Sequence, residues 1–224
     1  LPPGYHRLHP RRGGPTVDLV VTPACAPPLP SRAWGVTCQV PSLRGSDVAG
    51  PAGRAMGDLA HLGDLARWIH RRGATVIGVN PLGDPLPLTP RRSSPYSTSS
   101  RRFLDPLLIR LDHVHEPSSQ SLIDRDALWD AHRRGLADRF AGAGAGELAA
   151  AANFRRRHGS ILEHHALFNA LVEKLGTGWP AWPTALHDPK GAEVGRAHRE
   201  LATEVDFWCW VQWLADEQLR SATR

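Results

Sequence analysis

The chain has 224 residues, 41% hydrophobic and 22% charged, values ordinary for a soluble globular protein and sufficient for one domain plus part of another. No run reaches the eighteen or so consecutive apolar residues of a membrane span, which argues against a membrane partner. The net charge of +5 comes largely from scattered arginine pairs such as Arg71-Arg72 and Arg133-Arg134; acidic residues interleave with most of them, and no zinc-finger spacing or aromatic-glycine signature accompanies them, which argues against nucleic acid.

The first residues, Leu1 to Arg7, lack an initiator methionine and the apolar core of a signal peptide, so the expectation is a chain that begins inside something longer. Residues 1–31 are rich in proline and glycine around one β-branched run, Val17 to Val21, which reads as a strand. Residues 1–24 are accordingly expected to be the end of an upstream β-sandwich-like domain. Residues 25–31, with Pro27, Pro28 and Pro30, read as an extended linker. Trp34 to Val40 is a second strand, halted by Pro41; its apolar residues do not alternate strictly, which predicts burial on both faces, as in a parallel sheet.

Asp58 is placed to cap a helix whose apolar stripe is Leu62, Leu65, Ala66 and Ile69, and Gly73 stands where a left-handed terminus belongs. Thr75 to Val79 is then a buried strand ending at Asn80-Pro81. Strand, helix, strand over residues 32–80 is a βαβ unit, which packs as a right-handed crossover between parallel strands.

Residues 81–119 show little periodicity apart from Phe103 and Leu107 to Ile109, and a loop of that length is expected to carry function. Asp124 can cap a helix running to Phe140, followed by a glycine-alanine break at 141–146. Ser160 and Glu163 have capping-box spacing, and Ile161, His165, Phe168, Val172 and Leu175 are predicted to line one helix face up to Gly176. After Trp179 to Pro183, a last helix over roughly 193–221 has Leu201, Val205, Trp208, Val211 and Ala215 at helical spacing. Residues 81–195 thus read as an inserted loop and helical subdomain, and 196–224 as a helix that precedes a missing third strand. Two strands in one sheet leave edges bare, so the fold reads as α/β and cut short at both ends.

Twelve histidines invite a metal reading. Neither His113-Val114-His115-Glu116 nor Glu163-His164-His165 has the i, i+4 pairing of a zinc helix, and His165 on an apolar stripe reads as a hydrogen-bonded core residue. No metal and no cofactor are expected. Cys25, Cys38 and Cys209 imply no disulfide framework and fit a reducing cytoplasm; Cys38 and Cys209 read as small buried hydrophobes. The glycine clusters do not join a strand to a helix as a phosphate cradle must, and no Gly-x-Ser-x-Gly elbow is present. The segment Ser93 to Phe103 contains Ser94-Pro95-Tyr96 among further hydroxyls. A tyrosine held after proline suits stacking on a sugar face, while a solvated serine-rich loop has the same composition.

These segments in this order resemble bacterial 4-α-glucanotransferases (amylomaltases, glycoside hydrolase family 77): Arg32-Ala33-Trp34-Gly35-Val36 through Arg44, Gly57-Asp58-Leu59, Asn80-Pro81-Leu82, Ser94-Pro95-Tyr96-Ser97 through Ile109, Ala166-Leu167-Phe168, Trp182-Pro183, and Gln212 to Leu219. The resemblance spans nearly the whole chain and implies a partial TIM (β/α)8 barrel: the first βαβ unit plus an inserted helical subdomain, preceded by the tail of an N-terminal β-domain. It implies a cytoplasmic enzyme of maltodextrin or glycogen metabolism that transfers α-1,4-glucan segments by a retaining mechanism through a glycosyl-enzyme.

The same resemblance places the carboxylate nucleophile and the acid/base on barrel strands beyond this chain, so no catalytic residue is assigned here. Ser94, Pro95 and Tyr96 map to the glucan groove, with Tyr96 the best glucan contact. Two departures stand out: Gly53-Arg54-Ala55-Met56 where the family has Ser-Trp-Gly-Ile, and Asp105 where it has asparagine. The alternatives are a non-catalytic glucan-binding module or an inactive relic.

Overall fold

The computed structural model describes residues 1–11, 13–26, 28, 32–43, 56–92, 94–111 and 123–223. Two compact units divide the chain, Leu1–Trp34 and Gly35–Arg224. In the first, β1 (Gly4–Leu8) pairs antiparallel with β2 (Val17–Val21), Gly4 opposite Val21 and Leu8 opposite Val17. The strand foreseen at Val17 to Val21 is present, and Gly4–Leu8 is its partner. The linker residues Pro27, Leu29 and Pro30 lie outside the described residues.

The second unit opens with β3 (Gly35–Cys38), α1 (Leu59–His70) and β4 (Val76–Val79), and β3 and β4 are parallel neighbours, Gly35 opposite Val76 and Cys38 opposite Val79. The βαβ reading therefore holds. Asp58 caps α1 by accepting from the His61 N–H at 2.9 Å, while the Asp58 N–H donates to His61 Nδ1 at 3.3 Å. Gly57 lets this cap sit against the preceding 3-10 turn, since a Cβ there would meet the carbonyl oxygens of Val40 and Leu43 at 2.2 and 2.3 Å. The expected burial of both sheet faces is corrected: Val76 and Val79 are 46% and 40% exposed. Parallel strands bury both faces only where further layers cover them.

The helices that follow are α2 (Arg125–Ala141), α3 (Ala145–His158), α4 (Ser160–Leu175), α5 (Ala192–Glu200) and α6 (Ala202–Ala222). Asp124 caps α2, accepting from the Asp126 and Ala127 N–H groups. The single last helix foreseen is two, interrupted at Leu201. The stripe Leu201, Val205, Trp208, Val211 and Ala215 is buried as expected. Phe207, Cys209, Trp210, Gln212 and Trp213 are buried as well, because α6 is packed against α1, α2, α3, α4 and α5 together. A helix enclosed on all sides carries its apolar residues all round.

Two expectations for α4 are corrected. Ser160 is its first residue, not its cap; Gly159 precedes it at φ +56° and ψ −144°. Glu163 instead accepts from Arg155 Nε of α3 at 2.8 Å and lies 3.0 Å from His198 Nε2 of α5. Arg155 also pairs with Asp206 of α6, so one ionic clasp joins four helices. Second, Ile161 is 49% exposed, and the buried face is centred on Leu162, Ala166, Asn169 and Val172.

Candidate functional site

The Ser94–Ser97 segment is a turn closed by the Ser97 N–H donating to the Ser94 carbonyl at 3.1 Å. Its chemistry follows from its residues. Serine in the first position accepts from the Tyr96 N–H at 3.3 Å, and proline in the second has the φ such a turn needs. The turn therefore projects Tyr96 outward, and the residue is 76% exposed. Ser94 and Pro95 line a small cleft of about 60 Å³ with Gln39, Asn80, Thr98 and Asp105. Gln39 and Asn80 directly follow β3 and β4, so the cleft sits at the C-terminal ends of the parallel strands, where α/β folds place their ligands. Tyr96 is not part of the cleft lining; it stands outside it, with a ring free to stack.

The long loop is held by side chains from distant elements. Its two arms meet at the Gly83–Leu104 bridge. Asp84 N–H donates to the Phe103 carbonyl at 2.8 Å, and Asp105 N–H to the Leu82 carbonyl at 2.9 Å. Gln212 of α6 closes both main-chain groups of Leu104, and Gln218 does the same for Arg110. Arg110 in turn pairs with Asp58 at the start of α1. The 3-10 turn Pro106–Leu108 is buried throughout.

Asp105, one of the two departures noted in the sequence, lies on the cleft wall. Its carboxylate accepts from Arg91 Nη2 at 2.9 Å and from the Leu107 N–H at 3.0 Å. Burial pushes the Asp105 carboxyl above the ordinary carboxylate range, against the pull of the Arg91 cation. Arg91 lies face-on over Trp129 at 4.2 Å and is itself buried. The added charge is thus an internal ion pair between two parts of the loop. Met56 of the other departure is buried, while Gly53, Arg54 and Ala55 lie outside the described residues.

His165 is a core residue: its ring stacks on Phe103 at 4.2 Å, and Nε2 lies 3.0 Å from the buried Asp84 carboxylate. His113, His115 and Glu116 lie outside the described residues, among which no group of three or more metal-ligating side chains is placed to hold an ion. Cys209 is buried, and burial pushes its thiol up to about 12. Cys38 is half-buried, a correction to its expected place in the core, because the sheet it belongs to is only partly covered. Among the described residues no helix is long and apolar enough to cross a membrane. Asp84, Asn169 and Gln212, which hold the loop, were not distinguished by sequence reasoning; their partners are 85 and 108 residues away, and no local spacing reveals them.

The family model described as 4-alpha-glucanotransferase matches residues 38–224. The chain belongs to that family. It is 35% identical to the 4-alpha-glucanotransferase of Mycobacterium tuberculosis across 99% of its own length and 35% of the relative's. It is 30% identical to the Thermus thermophilus 4-alpha-glucanotransferase over 82% of this chain and 37% of that one. Among solved structures, the amylomaltase from Corynebacterium glutamicum matches with a TM-score of 0.72 at 24% identity, over 99% of this chain and 33% of that one. The amylomaltase from Streptococcus agalactiae in complex with acarbose matches at 0.65 and 16% identity, over 84% and 39%. These likenesses establish a shared mixed α/β fold, and the chain spans about a third of the length of these relatives.

Proposed function

We propose that this chain is the front section of a cytoplasmic 4-alpha-glucanotransferase that passes α-1,4-glucan segments between maltodextrins, and that its own part is one wall of the glucan groove. Residues 32–80 are the first βαβ unit of a (β/α)8 barrel, 81–195 an inserted loop and helical subdomain, and 196–224 a barrel helix. Residues 1–24 close an N-terminal β-domain, joined through 25–31. The observation that carries the groove reading is the Ser-Pro turn beside a cleft at the C-terminal ends of β3 and β4, with Tyr96 exposed at its tip. An exposed aromatic face next to hydroxyl and amide groups suits a pyranose, whose ring faces are apolar and whose rim is polar.

The carboxylate that lines the cleft, Asp105, pairs with Arg91, and Asp58 at the start of α1 caps that helix and pairs with Arg110. A retaining transfer needs two carboxyl groups about 5–5.5 Å apart, one as nucleophile and one as acid, then base. We assign neither role to a residue of this chain. The test is maltotriose disproportionation by the intact gene product. Tyr96→Ala is expected to raise KM about tenfold with a smaller change in kcat, the pattern of lost ground-state binding. The isolated 224-residue chain is expected to release no glucose. Glucose release by that chain, or an unchanged KM in the variant, would overturn the respective assignment.

A further inference from the structure

We propose that Asp84 is a positioning residue for the Tyr96 turn, fixing the glucan-contact loop to α4; the proposal rests on the reading of Tyr96 given above. Asp84 faces two ways. Its carboxylate is buried and points to α4, where Oδ2 accepts from Asn169 Nδ2 at 2.9 Å and lies 3.0 Å from His165 Nε2. His165 and Asn169 are four residues apart, one helical turn, so they present a single two-pronged grip. The main chain of Asp84 points to the loop. Its carbonyl accepts from the Ser99 N–H at 2.9 Å, the Ser100 N–H at 3.1 Å and the Ser99 hydroxyl at 2.9 Å. Its N–H donates to the Phe103 carbonyl, and Phe103 stacks on the same His165 ring.

The segment bearing Tyr96 therefore leaves the Asp84 hub and returns to it. Its return arm, Ser99 to Phe103, is tied to a residue that α4 holds by its side chain. A buried carboxylate is a costly way to fill space and is tolerated only when hydrogen-bonded, and an apolar residue of similar volume often serves stability as well or better. What the carboxylate adds is direction: it admits one placement of the loop against α4, and with it one placement of the Tyr96 ring. A groove contact misplaced by an ångström loses much of its effect on a bound substrate.

The experiment compares Asp84→Ala, Asp84→Asn and Tyr96→Ala in the intact gene product, reading amide hydrogen exchange and the maltotriose KM and kcat. Asp84→Ala is expected to speed exchange across 94–104 about tenfold, with α6 amides unchanged. It is also expected to raise KM about tenfold with kcat within about twofold. Asp84→Asn keeps an acceptor oxygen where Oδ2 sits and is expected to restore both to within about twofold of the original protein. If Asp84→Ala also loosens α6, the decision passes to Asp84→Asn: recovery of slow exchange at 94–104 supports the positioning role, and failure to recover overturns it. Unchanged exchange at 94–104 in Asp84→Ala overturns it as well. An unchanged KM in Tyr96→Ala overturns the glucan-contact reading instead, while the exchange data still decide whether Asp84 holds the loop.

Discussion

Gln212 and Leu104 are joined by two hydrogen bonds of 2.9 Å, the side-chain amide of a buried helix serving both the N–H and the carbonyl of a loop residue. The carboxamide is complementary to a peptide group, one donor and one acceptor, and replaces the neighbouring strand that Leu104 lacks on that side. Replacing it by Ala leaves a part-buried main-chain donor and acceptor without partners. Each such group costs about 1–3 kcal/mol, so Gln212→Ala is expected to lower the unfolding free energy by about 2–6 kcal/mol. Equilibrium denaturation by urea measures this; a loss below about 0.5 kcal/mol would refute the role.

Gly159 joins α3 to α4 at a backbone conformation that residues with a Cβ rarely adopt. A Cβ there meets nothing within 4 Å, so the constraint is torsional and not steric crowding from neighbours. Gly159→Ala is expected to destabilise the chain by about 1–3 kcal/mol. Gly144→Ala serves as the control, since its φ of −73° is ordinary and its surroundings are equally open.

Two acidic residues are expected to respond to pH with opposite sign. Arg155, joined by His198, holds the Glu163 carboxyl below its ordinary value of 4.5. Its contribution to stability is full above that value and is lost as pH falls through the lower folded-state pKa. Burial holds Asp105 above its ordinary 3.8. The folded state therefore favours the protonated acid, and stability falls as pH rises from 3.8 through the folded-state pKa. Thermal unfolding between pH 3 and about pH 6 should show Glu163→Gln with a shallower rise of stability with pH and Asp105→Asn with a steeper one. Parallel curves for all three proteins would refute both assignments.

The most exposed and the most buried thiol should separate by accessibility. Cys25 is exposed, whereas Cys209 is buried with its thiol pushed up to about 12, leaving almost no thiolate near neutral pH. A disulfide reagent at pH 8 is expected to label Cys25 rapidly and Cys209 only at the rate of unfolding, as peptide mapping by mass spectrometry would show. Labelling of Cys209 as fast as Cys25 in native conditions would contradict its burial.

Periodicity and end chemistry were the legible parts of this fold. Asp58 and Asp124 announce α1 and α2 because a capping side chain acts within its own turn. The stripe from Leu201 to Ala215 was readable because burial repeats at the helical period. The interruption at Leu201 was not, since buried Val194 and Ala197 continue the same three-to-four-residue spacing on its other side. Ser160 failed as a cap because Glu163 is drawn to Arg155 and His198, partners contributed by other helices. Of the site, Ser94-Pro95-Tyr96 stands out in the sequence by its residue types, while the turn that the Ser97 N–H closes on the Ser94 carbonyl is seen only in the structure. The grip on that turn was not: Asp84 and Asn169 each look like an ordinary polar residue until the chain brings them together.

Gln212 and Gln218 bond Leu104 and Arg110, so the same six-residue interval is spanned on the helix and on the loop. On α6 six residues advance about 9 Å; six residues of extended chain would advance about 20 Å. The two can run in register only if the loop contracts, and the 3-10 turn at Pro106–Leu108 is where it does so. The turn thus acts as a gauge block, setting the stride of the loop to the pitch of the helix beneath it. In this stretch the number of residues is as much a part of the structure as their identity.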